Sequence, residues 1–347
     1  MAIVQQTYSP HAFRLAIAQQ SAFGTANTTQ GDFQELWLTN RPELTATPLI
    51  DETKRADGST VHSILDRYVT QAGGEYTVAV EGVLTQAQAA FLLYGVLQKI
   101  TSEGDTDPWT KVFTLGAGVL PPSAPGFVFT TLIYDPAGNN IELQDCVFKT
   151  LTLAQSPGAA GGRITFSGTI YSMHAPDITG VTATLNGWDA PGTVYYGLSN
   201  LDAPQINVAG GGALDVVVFG WSMTVDNEAK GYGWDASGNA QGMAIASGNA
   251  GYSITGELVT KYDTNTKSAL GDFLANTILT IALPFNASST TDLSFAINAR
   301  HKSQPTKDFG NDAGVTITFP FEAINNPTGP VSALVVTLDD LSDKTWT

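Results

Sequence analysis

Cysteine is nearly absent. Cys146 is the only one in 347 residues, which excludes an internal disulfide and any zinc site built from several thiolates. Basic residues are scarce as well. Sixteen Lys and Arg stand against 32 Asp and Glu, a formal charge of −16. Those sixteen are scattered, whereas grip on a phosphate backbone needs clustered cations, so a sequence-reading DNA-binding role is not expected. Charged residues make up only 14%, against about 25% in an ordinary domain. So much uncharged surface suits a subunit that covers itself with neighbours. No apolar run approaches the ~18 residues of a membrane span. The opening residues show neither a basic n-region nor an apolar h-region. The expectation is a chain without a membrane span, made and folded in a cytoplasm.

What is present is core-forming material and strand pattern. Hydrophobic residues make up 43% and aromatics 10%, which is incompatible with disorder of the whole chain. Ile164 to Ile170, Val315 to Phe321 and Phe127 to Tyr134 are rich in β-branched and aromatic residues. Several such runs alternate with period two, as half-buried strands do. Thirty-five glycines and seventeen prolines punctuate them. One helix is predicted over residues 86–98, capped by Thr85, with Ala87, Ala90, Phe91, Tyr94 and Leu97 on one stripe. Gly95 should weaken it by about 1 kcal/mol. A shorter helix is predicted over 267–276, with Ala269, Leu270, Phe273 and Leu274 as its stripe.

The two helices mark an internal repeat. Tyr76-Thr77-Val78-Ala79-Val80-Glu81-Gly82-Val83 precedes the first, and Tyr252-Ser253-Ile254-Thr255-Gly256-Glu257-Leu258-Val259 precedes the second, at an offset of 252 − 76 = 176 residues. Length alone suggests about two domains. The division expected is 1–185 and 186–347, with residues 173–213 as the connection. The polar stretches 41–74 and 226–249 read as loops too long for hairpin turns, and loops of that size are usually functional.

Catalytic signatures are missing. There is no Gly-x-Ser-x-Gly elbow and no P-loop. Gly231-Tyr232-Gly233-Trp234-Asp235-Ala236 fits a loose dinucleotide pattern, but no helix is predicted after it. His11, His62, His174 and His301 lack partners at ligand spacing. Asp263 to Leu274 fails as a calcium loop at Lys267, Ser268 and Leu274. No enzyme activity, cofactor or metal is expected.

The run Phe13 to Ala26, with its Phe23-Gly24-Thr25-Ala26 turn, resembles the early strand of major tail tube proteins of long-tailed (siphovirus-type) bacteriophages. Residues Asp145 to Ser172 resemble the paired strands near the end of a tube domain, and Trp221 to Glu228 a recurring strand end. The resemblance implies a mainly β chain of tandem tail-tube-like β-sandwich or barrel domains, each with one flanking helix. It implies a structural virion protein whose rings carry a continuous inner β-barrel and stack into a tube for DNA. Two domains per chain imply a ring of three copies rather than the usual six single-domain subunits. The implied partners are the chain itself, the tape-measure protein, the tail-tip ring and the tail terminator, with DNA present only in transit. In that setting Lys54, Arg55, Asp57, Gly58, Lys230, Tyr232 and Trp234 are candidate ring-stacking residues. Asp105, Asp107, Glu142, Asp145, Asp215 and Glu257 are candidate lumen carboxylates, because an acidic wall repels phosphate. A second reading is a two-domain β-sandwich that binds carbohydrate or acts as an adhesin, with Trp188, Tyr195, Tyr196, Tyr232 and Trp234 stacking on sugars. A glycan-cleaving tail enzyme is a third.

Overall fold

Alternation of apolar with small polar residues decides where most of this chain goes. Each such run buries one face and leaves its backbone to be paired sideways. The computed structural model describes residues 9–54, 67–103, 109–115, 118–120, 128–158, 160–208, 213–234, 240–245, 251–286, 292–310, 314–325 and 333–340. Four strands precede the first helix: β1 (Arg14–Gln19), β2 (Gln34–Glu35), β3 (Glu43–Lys54) and β4 (Arg67–Val83). After α1 (Gln86–Leu97) come β5 (Gln98–Glu103), β6 (Trp109–Leu115), β7 (Gly118–Leu120), β8 (Phe129–Tyr134), β9 (Ile141–Gln155) and β10 (Thr165–Ser172). The second half opens with β11 (Gln205–Val208), β12 (Ala213–Asp215), β13 (Val218–Asp226), β14 (Lys230–Trp234), β15 (Ala240–Ile245) and β16 (Ser253–Lys261). It closes with α2 (Ala269–Leu274), β17 (Leu279–Asn286), β18 (Asp292–His301), β19 (Thr306–Asp308), β20 (Thr316–Ala323) and β21 (Leu334–Asp340). The protein is mainly β, with curled antiparallel sheet and two α-helices among the described residues.

Strand pairing follows the same path twice. In the first half the order of neighbours is β1-β8-β9-β10-β4-β3. In the second it is β11-β17-β18-β20-β16-β13. The two ladders are joined directly, because residues 150–155 of β9 also pair with β13. A second join runs behind them, where β21 pairs with both β18 and β6. One large hydrophobic core therefore passes through both halves, from Leu15 to Leu338.

A glycine opposite a phenylalanine marks the matching point of the ladders. Gly82 pairs with Phe166, and a Cβ there would sit 2.0 Å from the Trp37 carbonyl oxygen and 2.7 Å from the Phe166 ring. Gly256 pairs with Phe321, and a Cβ there would sit 2.1 Å from the Ser222 oxygen and 2.5 Å from the Phe321 ring. The structural offset is thus 256 − 82 = 174 residues, two fewer than the tyrosine match of the sequence. Tyr76 and Tyr252 lie two residues out of step, a shift that keeps each strand's inward face inward because the side-chain period is two.

The helices differ from expectation. The first is buried nearly all round, including Gln86 and Gln88, and not along one stripe. Its terminal carbonyls are met by the second half: Asn227 Nδ2 donates to Val96 O (3.3 Å) and the Tyr252 hydroxyl to Leu97 O (2.9 Å). Gly95 sits where a Cβ would lie 2.5 Å from the Phe148 ring, so close approach selects it despite its helix cost. The Thr85 hydroxyl caps no helix N–H; it donates to Pro191 O. The second helix spans six residues and leaves Leu274 75% exposed, so the expected stripe is incomplete. Thr266 closes the turn before it, donating to Lys261 O and accepting from Asp263 N.

Both Gly82→Ala and Gly256→Ala are expected to lower unfolding stability by about 3 kcal/mol, because backbone and an aromatic ring must both move. Gly31→Ala, with nothing within 4 Å of the added carbon, is the control that should change little. Urea titration of the three variants measures this, and equal losses would remove the close-approach argument.

Candidate assembly surfaces

The order β3-β4-β10-β9-β13-β16-β20-β18 places eight strands side by side, and their alternation sorts two faces. The inward face carries Val78, Val80, Phe166, Leu151, Leu153, Met223, Val225, Leu258 and Phe319, all buried. The opposite face shows a run of short hydroxyls. Thr45 and Thr47 lead to Thr77, then Ser167 and Thr169, Thr150 and Thr152, Ser222 and Thr224, Ser253 and Thr255, and Thr318, each exposed or half-buried. β-Branched threonine suits a pleated surface. Across the join of the two ladders, Thr152 and Thr224 hydroxyls lie 2.8 Å apart. The charges on this face are mainly negative: Glu43, Glu75, Glu81, Asp226, Glu257 and Glu322, against Lys149, Lys261 and Arg300. Arg300 is bound to Glu322 across β18 and β20. At one end the face is covered by the small sheet β7-β15-β14, whose Met243 and Ile245 pack with Val147, Tyr171 and Met173.

The carboxylates expected from sequence are dispersed. Glu257 is exposed on the hydroxyl-rich face. Asp215 is exposed at the end of β12, accepts from Gln205 Nε2 (2.9 Å), and belongs to the β11–β12 pair behind that face. Glu142 is half-buried opposite Leu132, beside Asp177, and burial followed by repulsion from Asp177 raises its pKa. Asp145, expected as a lumen carboxylate, is completely buried in the chain and so is withdrawn from any wall. Asp105 and Asp107 lie outside the described residues. Glu43, Glu81, Asp226 and Glu322 were not singled out from sequence. The signal that could have found them is the alternation of Ser, Thr or Glu with Val, Leu or Met in runs such as 77–81 and 222–226.

The long polar stretches are corrected too. They are largely hairpin arms rather than loops. Residues 43–54 pair with 67–79, and 230–234 with 240–244. Lys54 is the last residue of β3, opposite Arg67. Arg55, Asp57 and Gly58 lie outside the described residues. Lys230 is exposed at the start of β14. Tyr232 and Trp234 follow it in the strand, opposite Gly242 and Ala240. The loose dinucleotide pattern falls in this hairpin, without the helix that phosphate binding requires.

Aromatic residues proposed to stack on sugars are partly withdrawn from solvent. Tyr196 is fully buried, and Trp188 packs on Phe33 while its Nε1 donates to Gln30 Oε1 (3.0 Å). Tyr195 is exposed, with the Arg163 guanidinium 3.9 Å over its ring. Among the described residues no group of His, Cys, Asp and Glu is arranged to hold a metal ion, and no helix is long and apolar enough to cross a membrane.

The Phe23-Gly24-Thr25 turn is pinned from beneath. Asp145 sits at a β-bulge with φ 52°, where β9 loses register against β8. Its Oδ1 accepts from Gly24 N (2.8 Å) and Gln20 Nε2 (3.0 Å), and its Oδ2 meets His174 Nε2 at 3.1 Å. Gln144 bonds the other ring nitrogen, and Phe23 packs edge-on against the imidazole. Burial is the largest influence on Asp145 and raises its pKa, while the Gly24 N–H, His174 and Gln20 oppose it. Nearby Cys146 is inert for the same reason: burial pushes its thiol up to about 12.

A family model described as phage tail tube protein matches residues 13–323, a span that begins at the strand leading into this pinned turn. No curated protein matches the chain.

Asp145→Asn keeps an oxygen for Gly24 and Gln20 and is expected to be tolerated near pH 7. Asp145→Leu strands both donors and His174, and should cost about 3 kcal/mol or more. Because the folded pKa is raised, the native state binds the extra proton between the ordinary aspartate value and the raised one. The Asp145 contribution is therefore fullest below the ordinary value and is lost as pH rises through the raised one. Denaturant titrations across pH 4 to 7 should show a steeper fall in wild type than in Asp145→Asn, the difference being the Asp145 contribution.

Proposed function

The chain belongs to the phage tail tube protein family, and from that premise we propose that it polymerises into rings that stack as the tube through which DNA passes. Membership gives the structural role and the place in the virion tail. The finer reading rests on one observation: eight strands side by side present a face of short hydroxyls with sparse, mostly negative charge. A conduit wall of that kind offers a polyanion no cluster of cations to bind, and its carboxylates repel phosphate. The role proposed is mechanical and asks for no catalytic group.

The recurring strand order supports a duplicated chain divided near residue 185, so that three copies supply the six repeats of a ring. The hairpin arms β3–β4 and β14–β15, with Lys54, Arg55, Asp57, Gly58, Lys230, Tyr232 and Trp234, are the proposed contacts between stacked rings. The tape-measure protein fills the lumen during assembly, and the tip and terminator proteins cap the ends. The chain is made in the host cytoplasm before it enters the virion. The carbohydrate-binding reading loses support from the burial of Trp188 and Tyr196.

Electron microscopy of the purified protein tests the proposal; stacked rings are expected, and dispersed monomers at high concentration would overturn it. The charge argument has its own test. Glu81→Lys with Glu257→Lys should leave tubes intact but make them retain short duplex DNA at low salt, with retention falling steeply as salt rises. Equal DNA retention by wild-type and variant tubes would remove the acidic wall from the explanation.

A further inference from the structure

Two sheet edges of this chain match the two that it joins internally. The match follows from the Gly–Phe pairs. Trp37 O lies over Gly82 as Ser222 O lies over Gly256, so Leu38 corresponds to Met223 and Thr39 to Thr224. Phe166 faces Leu153 and Phe321 faces His301, so Leu153 corresponds to His301 and Thr152 to Arg300. Inside the chain, Leu153 pairs with Met223 and Thr152 with Thr224.

The backbone at the two remaining edges is aimed outward. Thr39 N donates to Glu81 O (2.8 Å) and Val83 N to Trp37 O (3.3 Å), which points the N–H and C=O of Leu38 away from β4. On the other edge, Ile324 N donates to Asn298 O (2.8 Å) and Lys302 N to Pro320 O (2.9 Å). The same alternation turns the backbone groups of Ala299 and His301 away from β20. β17 pairs with Ala299 and ends there, leaving His301 beyond it. Trp37, 37% exposed, stands beside a cleft of about 330 Å³ that follows the first edge, lined by Phe13, Glu35, Leu38 and Asn40 among others.

Resting on the tube reading, we propose that a second copy of this chain closes these edges against each other, residues 37–39 of one copy running antiparallel to residues 300–302 of the next. Leu38 faces His301 as a hydrogen-bonded pair, and Thr39 faces Arg300 as the closer, non-hydrogen-bonded pair. The external joint thereby repeats the internal one. It ends where β17 occupies β18 on one side and Pro42, which has no N–H, enters the strand on the other. Such a joint is head-to-tail, which excludes a two-fold dimer and gives a ring where the rotation between copies closes.

Cross-linking tests the register. In the full chain, Thr39→Cys with Arg300→Cys should form disulfides between copies on oxidation, giving linked chains that end in a closed ring species on a non-reducing gel. Thr152→Cys with Thr224→Cys, built on hydroxyls 2.8 Å apart, is the control and should link only within the chain. Mixing the two single-cysteine variants Thr39→Cys and Arg300→Cys should yield covalent dimers and nothing larger. Rings that form while the Thr39/Arg300 pair stays unlinked, with the control linked, would overturn the register and leave the tube reading standing. Covalent dimers from Thr39→Cys alone would also overturn it, because they require a two-fold contact. Wild-type protein that forms no rings under the microscope removes both.

Discussion

A strand in the middle of a sheet has two edges to satisfy, and that requirement organises this molecule more than any side-chain contact does. β9 meets it by pairing with β10 on one side and with β8 and then β13 on the other. β21 meets it by bridging β18 and β6. Those two strands tie the halves together in front and behind, so the core cannot be divided at the connection between them. Edge pairing also explains what is left over. An edge whose N–H and C=O groups point outward is a template for another chain, and Leu38 and His301 turn their backbone groups outward at the two ends of the eight-strand order.

The first helix follows from the same architecture. A helix wedged between β9, β5, β6 and β21 has no solvent side, so its polar groups need protein partners. Gln86 Nε2 reaches Asp339 O (3.3 Å), and Gln98 Nε2 reaches back to Gly95 O (2.6 Å). Asn227 Nδ2 serves Val96 O and also Phe148 O (2.8 Å). These partners come from both halves. The second helix has no comparable sandwich around it and is correspondingly short, with Leu274 in solvent. The two halves share strand order but bury their helices to different extents.

Strands were legible because period-two alternation is imposed by burial on one face, and that imprint survives in runs such as Tyr76 to Val83. The register of the repeat was not legible to within two residues. Tyr76 and Tyr252 match by identity, but packing is fixed by Gly82 and Gly256, whose role appears only when Phe166 and Phe321 lie across from them. The hairpin arms read as loops because the stretches 41–74 and 226–249 are polar and too long for hairpin turns. In the structure Pro48 sits in β3, and the register shift between Leu49 and Ile50 absorbs the irregularity. Asp145 looked like a surface charge because nothing in DCVF announces His174, Gln20 and Gly24, which come from far along the chain. Isolated residues could not reveal the hydroxyl-rich face either; it is a property of eight strands laid in order.

In the proposed ring, carrying both halves of the strand order on one chain has a consequence for how the ring can change. Where every subunit holds a single repeat, every joint is the same joint, and a substitution alters all of them together. Here Thr152 and Thr224 belong to a joint that is already tethered, formed at high effective concentration whatever the amount of protein. In the proposed joint, Thr39 and Arg300 meet only by collision between copies. The tethered joint can drift toward weak, slippery contacts without losing the ring. The collisional joint is where charge appears, with Arg300 standing in the place of Thr152 beside Glu322. Alternate seams of one wall are thereby freed to age separately, one tuned for smoothness and the other for choosing the correct neighbour.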